Sequence, residues 1–206
     1  MNGNIQKVNY YLECEKEIKR NAGRLPGLLL HSCCAPCSSS VLEFLSQYFD
    51  ITLFYYNPNI TPETEYRKRV AELYRLIDEA EYPNAVSIKE GRYDSAEFFD
   101  IARGLEELPE GGERCFRCYR LRLEESAKAA LEGGYEYFTT TLSVSPHKNA
   151  AKLNEIGMEL AEKYGVKYLP SDFKKKDGYR RSIELSAKYG LYRQNYCGCV
   201  FSKRYS

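Results

Sequence analysis

The chain alternates between short apolar runs and longer stretches in which apolar residues recur every three or four positions. The short runs are bounded by turn-forming residues and predict β-strands at 27–31, 51–56, 85–88, 137–141 and 166–169. The longer stretches predict helices at 4–20, 38–48, 62–81, 95–103, 114–132, 149–164 and 179–189. This alternation predicts an α/β fold with an open, mostly parallel five-stranded sheet and helices on both faces.

The length of 206 residues suits one domain with one substantial core. Within it we expect an N-terminal helical region at 1–26 and a basic C-terminal segment at 171–206. No apolar run is long enough to span a membrane, and the first residues lack the apolar stretch of a secretory signal. We therefore expect a cytoplasmic protein with no membrane partner, in a compartment that keeps thiols reduced.

Seven of the eight cysteines lie in three short groups. The groups are Cys33, Cys34 and Cys37; Cys115 and Cys118; and Cys197 and Cys199. Closely spaced cysteines are typical of metal ligands or redox thiols. The first group directly follows a predicted strand, and parallel sheets bind ligands at the carboxyl ends of their strands. We therefore expect the groups to form one site, whereas Cys14 is interpreted as a buried free thiol on the first helix.

The cysteine spacing leaves the kind of centre open. Cys115 and Cys118 lie three residues apart at a predicted helix start, and Cys34 and Cys37 repeat that spacing in a predicted loop. Thiolates in this arrangement suit zinc or an iron-sulfur cluster equally well by ligand type. The surplus of thiols favours electron transfer, because a disulfide across the single Gly198 would be strained and easily reduced.

Two other functions fit parts of the same pattern. The Cys-Ala-Pro-Cys sequence at 34–37 is also typical of thioredoxin-like thiol-disulfide oxidoreductases. That interpretation leaves the other two cysteine groups without a role. Alternatively, the cysteines could bind zinc only to hold the fold of a non-catalytic RNA-binding module.

Other candidate residues follow predicted strands. His147 could donate a proton, and Asp94 and Asp172 could bind a hard metal ion or move protons. Capping or turn formation is the alternative role for both carboxylates. His31 belongs either to the core or beside the site.

The net charge of +1 conceals an uneven distribution of charge. Residues 171–206 carry about +6, and the remainder of the chain carries about −5. A polyanion such as RNA is therefore expected to meet the C-terminal segment, although a solvated basic surface is the alternative. The candidate contacts with RNA phosphates are Lys174, Lys175, Lys176, Arg180 and Arg181.

Five segments together closely resemble the QueH family of cobalamin-independent epoxyqueuosine reductases. They are residues 31–37, 110–118, 139–146, 172–174 and 192–199. The match runs in order from about residue 27 to 202, and the combination is highly specific although each motif alone is not. The resemblance implies a nucleotide-hydrolase-like (HUP-like) fold. It also implies that the protein reduces epoxyqueuosine at the tRNA wobble position to queuosine, the last step of queuosine synthesis.

The resemblance further implies roles for the cysteines. It implies a 4Fe-4S cluster on Cys33, Cys34, Cys115 and Cys118, and a redox-active disulfide between Cys197 and Cys199. Cys37 is then left over, and we expect it beside the cluster, holding a mononuclear iron with Asp172 or Asp94. The expected partners are the anticodon stem-loop of a tRNA that bears epoxyqueuosine and a low-potential electron donor.

Overall fold

The computed structural model describes residues 8–205, without the side chains of 203–205. Residues 4–7 of the first predicted helix and residue 206 lie outside the described residues. Helices α1–α7 span Tyr10–Arg20, Ala35–Leu45, Glu63–Glu79, Ser95–Ala102, Glu113–Glu132, Ala150–Tyr164 and Gly178–Lys188. Strands β1–β5 span Gly27–His31, Asp50–Tyr55, Val86–Glu90, Tyr137–Thr140 and Lys167–Tyr168. None of the described helices is both long and apolar enough to cross a membrane.

The five strands form one sheet in the spatial order β3, β2, β1, β4, β5, and every neighbouring pair is parallel. The predicted α/β fold with an open five-stranded parallel sheet is therefore confirmed. The chain builds the sheet outward from β1 to β3 and then returns to the other side of β1 with β4. Open parallel sheets bind ligands at the carboxyl ends of their strands at such a reversal.

The central strand β1 is buried on both faces of the sheet. Leu28 and Leu30 belong to one apolar cluster, together with Leu42 of α2 and Leu73 of α3. Leu29 points to the opposite face, because successive side chains of a strand alternate. It belongs to a second cluster with side chains of α5 and α6. Two cores, one on each face, therefore fix the carboxyl end of β1.

Helix α2 begins earlier than the sequence predicts. The predicted start at residue 38 is wrong by three residues, because the Cys-Ala-Pro-Cys sequence is helical from Ala35 onward. Pro36 fits the first turn, where a backbone N–H has no partner within the helix. Cys34 is the N-cap and Cys37 lies in the first turn, so part of the first cysteine group lies at a helix N-terminus.

Helix α6 packs closely against β5 through Gly157. A Cβ atom at this position would lie 2.4 Å from two ring atoms of Tyr168, which is buried. Alanine is the better helix former by about 1 kcal/mol. Gly157→Ala is nevertheless expected to lower the free energy of unfolding, because overpacking costs about 1–3 kcal/mol.

Urea denaturation of wild type and Gly157→Ala measures this effect. In a Tyr168→Leu background the same glycine substitution should be less destabilising, since the ring it would meet is gone. A Gly157→Ala protein more stable than wild type would contradict the tight contact.

Candidate metal and redox site

The first cysteine group lies where the sheet reverses direction. His31 and Thr140, at the ends of β1 and β4, are aligned across the two strands, and their Nδ1 and Oγ1 atoms are 2.9 Å apart. Just beyond these residues, Cys33 Sγ lies 3.8 Å from Thr141 Oγ1. The pairing of β1 with β4 therefore sets the position of the first cysteine group.

Cys33, Cys34 and Cys37 form a compact thiol cluster. Their Sγ atoms all lie within 4.8 Å of one another, so the three thiols could hold a metal ion. Hydrogen bonds with the Cys34 and Cys37 thiols lower the pKa of Cys33 well below its usual range. The hydrogen bond with Cys33 is the main cause that raises the pKa of Cys34 to about 12. The positive end of the α2 dipole also favours a thiolate here.

The other two cysteine groups meet beside this cluster. Cys115 and Cys118 lie at the start of α5, and the Gly111 N–H group donates to Cys115 Sγ over 3.3 Å. Together with Cys197 and Cys199 they line a small cavity of about 20 Å³. Cys33 and Cys115 also pack against the same apolar cluster.

Cys197 connects the two parts of the site. In addition to the small cavity, it lines an open cavity of about 440 Å³ that also contains Cys34 and Cys37. Cys199 lies deeper and is buried. Both residues are free thiols in the structure, in contrast to the disulfide that the resemblance implies. The structure therefore brings all three cysteine groups to one edge of the sheet.

The Cys197-Gly198-Cys199 loop is anchored on the start of α3. Gly198 has a φ of +96°, and a Cβ atom there would lie 2.8 Å from Ile60 Cγ1. The Gly198 carbonyl accepts the Thr61 N–H over 3.2 Å, and Arg69 Nη1 donates to the Cys197 carbonyl over 3.3 Å. A glycine is therefore required by both the backbone conformation and the space.

A buried guanidinium lies between the first two cysteine groups. Arg122 Nη2 donates to Asn57 Oδ1 over 2.7 Å, Nε donates to His31 Nε2 over 3.3 Å, and Nη1 lies 4.0 Å from Cys118 Sγ. No carboxylate among the described residues forms an ion pair with it. Burial lowers the pKa of Arg122, but the Cys118 and Cys33 thiolates have the larger combined effect and raise it.

His31 is a neutral, structural neighbour of the site. Its side chain is fully buried, and burial together with the Arg122 charge lowers its pKa to about 3. Its Nε2 lies 3.1 Å from the Tyr56 carbonyl oxygen and 3.3 Å from Arg122 Nε, and its Nδ1 lies 2.9 Å from Thr140 Oγ1. His31 therefore lies both in the core and beside the cysteines.

Two further cations lie close to the cysteines. The Lys148 side chain is 9% exposed, pairs with Glu110 over 2.6 Å, and lines the small cavity with Cys197. Burial lowers the pKa of Lys148, but Cys197, Tyr119 and Glu110 together have the larger effect and raise it. Arg69 is buried, donates to Glu65 over 2.8 Å, and lines the open cavity. The site is therefore rich in positive charge that stabilises thiolates.

The structure does not bring the two predicted carboxylates to the thiol cluster. Asp94 is exposed and caps α4 by accepting the Ala96 N–H over 2.9 Å. Asp172 accepts from Lys174 Nζ over 2.7 Å and lines a different cavity. Asp94 therefore has the capping role that was the alternative, and Asp172 forms an ion pair with Lys174. His147, in contrast, is exposed and lines the open cavity beside Cys34 and Cys37.

The predicted basic residues are placed unequally. Lys174 pairs with Asp172, Arg180 with Asp177 and Glu184, and Arg181 with Glu43 and Glu184. Lys175 and Lys176 are exposed. Tyr179 and Ser182, in the first turns of α7, line the open cavity. Arg193 Cζ lies 5.5 Å from the centre of the Tyr179 ring.

Sequence reasoning missed the cations and aromatic residues that complete the site. Arg122 had a local signal, because it follows Cys118 by four residues and therefore shares its helix face. Arg69 and Lys148 had none, since only the fold brings α3 and the loop after β4 to the cysteines. Tyr179 and Arg193 meet the cavity for the same reason.

Cys197 and Cys199 of the Cys-Gly-Cys loop should differ in their reactivity toward alkylating reagents. In reduced, metal-free protein at pH 7, we expect iodoacetamide to modify Cys197 before Cys199 and Cys14. The hydrogen bond with Cys199 lowers the pKa of Cys197, and Lys148 also lowers it, against the effect of burial. The same hydrogen bond raises the pKa of Cys199, and burial raises the pKa of Cys14 to about 12.

Mass spectrometry of peptides taken at intervals measures these rates. Lys148→Met should slow the labelling of Cys197 and leave the labelling rate of Cys14 unchanged. Equal labelling of all three cysteines in wild type would contradict the predicted order.

Comparison with known proteins identifies the family. Residues 28–205 match the family described as epoxyqueuosine reductase QueH. A protein of that name from Staphylococcus epidermidis is 48% identical over 203 residues, which cover 96% of this chain and 85% of the relative. A protein of the same name from Streptococcus pyogenes is 43% identical over 99% of this chain and 81% of its own length. Another from Thermotoga maritima is 39% identical over 85% of this chain and 89% of its own length. The chain belongs to the QueH family.

Proposed function

We propose that this chain is an epoxyqueuosine reductase that converts epoxyqueuosine at the tRNA wobble position to queuosine. One observation carries the proposal beyond family membership. Cys197 lines both the open cavity with Cys34 and Cys37 and the small cavity with Cys115 and Cys118. A thiol in this position can exchange electrons with a metal centre on one side and with a substrate on the other.

The proposed reaction requires electrons in a pair. Both C–O bonds of the epoxide break, a C=C bond forms, and the oxygen leaves as water after taking two electrons and two protons. Oxidation of Cys197 and Cys199 to a disulfide releases two electrons and two protons, which balances the reaction. A low-potential electron donor would then reduce the disulfide again.

The residues present fit an iron-sulfur centre. Cys33, Cys34, Cys115 and Cys118 would hold a 4Fe-4S cluster, which would supply single electrons when bound. Arg122, between Cys33 and Cys118, carries the positive charge that such an anionic centre needs. Cys37 would remain as a ligand for an adjacent mononuclear iron, for which Asp94 and Asp172 lie in the wrong places.

The open cavity suits a single unpaired base. Its volume of about 440 Å³ admits one nucleobase with its substituent, but not a duplex. Tyr179 and Tyr196 line it and could stack on the base, and His147 could supply a proton to the leaving oxygen. Lys175 and Lys176 lie outside the cavity, where anticodon-stem phosphates would pass.

The two alternative functions are not favoured. A thioredoxin-like mechanism would use Cys34 and Cys37 and leave the other cysteines without a role, although they converge on the same site. In an RNA-binding module that binds zinc only to stabilise its fold, the free Cys197 beside an open cavity would have no role.

The redox pair can be separated from the metal ligands by mutation. We expect Cys197→Ser and Cys199→Ser to abolish reduction of an anticodon hairpin that carries epoxyqueuosine, while iron and acid-labile sulfide stay at wild-type levels. Cys14→Ala is the matched control, since Cys14 lies on α1 away from the site, and should retain turnover. Anaerobic purification, metal and sulfide analysis, and mass spectrometry of the nucleoside product measure these outcomes.

Three outcomes would contradict the proposal. Normal turnover in both serine variants would remove the cysteine pair from the mechanism. A colourless protein that contains zinc without iron or sulfide would favour the RNA-binding module. Reduction of protein disulfides without any metal would favour the thioredoxin-like function.

RNA binding should depend on salt through the exposed lysines. Each phosphate contact steepens the fall of log affinity with log salt by about 0.7–0.9. Lys175→Gln with Lys176→Gln should therefore flatten the slope by about 1.5 for the anticodon hairpin. Fluorescence anisotropy at several salt concentrations measures the slope.

The matched control removes two lysines from the opposite edge of the sheet. Lys163 and Lys167 lie near the amino end of β5 and are each 60% exposed. Lys163→Gln with Lys167→Gln should leave the slope at its wild-type value. Equal slopes for both double variants would exclude Lys175 and Lys176 as phosphate contacts.

A further inference from the structure

Arg69 holds an unusual position in the wall of the open cavity. It lies on α3, and its side chain is only 2% exposed. Nε donates to Glu65 Oε1 over 2.8 Å, and Nη1 donates to the Cys197 carbonyl over 3.3 Å. The Tyr196 ring lies over the guanidinium, with its centre 5.3 Å from Cζ. These contacts fix the plane and direction of the guanidinium group.

The remaining nitrogen of this group has no partner. Arg69 Nη2 is buried and donates no hydrogen bond to any side chain or carbonyl among the described residues. A buried donor left without an acceptor costs about 1–3 kcal/mol, and more when it is charged. Such groups are rare in folded proteins and usually face a ligand or an ion.

The side chain that carries this nitrogen lines the same cavity as the cysteines. Arg69, Cys34, Cys37 and Cys197 all line it. Arg193 lines it too, but it is exposed and lies over the Tyr179 ring, near the cavity mouth. Of these two arginines, Arg69 is therefore the one that meets a ligand deep in the cavity, beside the thiols.

We propose that Arg69 is a catalytic residue whose Nη2 donates to the epoxide oxygen of the substrate. This inference rests on the proposed function. As the first C–O bond breaks and an electron pair reaches the substrate, the oxygen becomes an alkoxide. A preorganised cationic donor in a water-poor cavity stabilises that charge more than it stabilises the neutral epoxide.

Arg69 supplies charge but no proton. Burial lowers the pKa of the guanidinium, but Cys34 and Glu65 raise it by more, so the group stays protonated. The two electrons come from the Cys197 and Cys199 sulfur atoms, whose thiol protons are released, and the two protons reach the oxygen from His147 or from solvent. Loss of the protonated oxygen as water then completes the C=C bond and leaves a disulfide.

A pair of ligands that differ by one oxygen tests the assignment. The probes are anticodon hairpins that carry epoxyqueuosine or queuosine. We expect metal-loaded wild type to bind the epoxide hairpin more tightly, and Arg69→Gln to bind both hairpins equally, with unchanged affinity for the queuosine hairpin. The kcat of Arg69→Gln should fall about 10²–10³-fold, as after loss of an oxyanion-hole donor. Arg69→Lys should restore part of the preference for the epoxide hairpin relative to Arg69→Gln, since lysine keeps the positive charge but lacks the planar guanidinium group.

Matched measurements separate this role from a structural one. Arg67→Gln removes an exposed arginine from the same helix and should behave as wild type. The proposal is overturned if Arg69→Gln keeps the preference for the epoxide hairpin, or if it loses affinity for both hairpins equally. It is also overturned if only the iron content or the reduction potential changes, since Arg69 would then act on the cysteines and their metal centre and not on the substrate. If wild type binds but does not reduce the epoxide hairpin, the proposed function fails instead, and the binding preference still tests Arg69.

Discussion

A buried guanidinium without a carboxylate partner constrains the whole site. Arg122 joins α5 to the end of β1 through His31 and to the loop after β2 through Asn57, and both of these partners are neutral. A buried charge needs a counter-charge, and breaking such a pair costs about 3–5 kcal/mol. Cys33 and Cys118 are the nearest groups that can carry it: the pKa of Cys33 is lowered, and the Arg122 charge opposes the burial that raises the pKa of Cys118. The buried Arg122 charge therefore favours negative charge on the cysteines at the point where the sheet reverses.

This preference explains why cysteines from distant parts of the sequence act together. Strand pairing places the first group beside the loop after β4, and Arg122 on α5 orients the second group toward it. The third group closes the site, because Cys197 lines a cavity with each of the other two. The arrangement leaves one side of the thiols open to a ligand, and the other side is buried against the core. Those are the conditions that redox chemistry on a bound nucleotide needs.

The pattern of apolar and polar residues predicted the strands and helices whose form depends mainly on nearby residues. The strand at 27–31 matches β1 residue for residue, since a buried run bounded by turn formers has few alternatives. The start of α2 was missed because a proline in the first turn resembles a loop. Cysteine spacing identified the thiols, but not the side chains that tune them. Arg69 and Lys148 come from elements whose contacts only the tertiary fold determines, and Asp94 was assigned to the site although it caps a helix.

The central claim is that the first two cysteine groups hold one shared centre, with the third beside it. Mössbauer spectroscopy of anaerobically prepared, iron-57-labelled protein tests it directly, with Cys33→Ala and Cys115→Ala compared with wild type. The account predicts one 4Fe-4S signal in wild type and loss of that same signal in either variant, because each removes a ligand of the same cluster. A cluster signal that survives unchanged in Cys115→Ala would contradict it, since the two groups would then be independent.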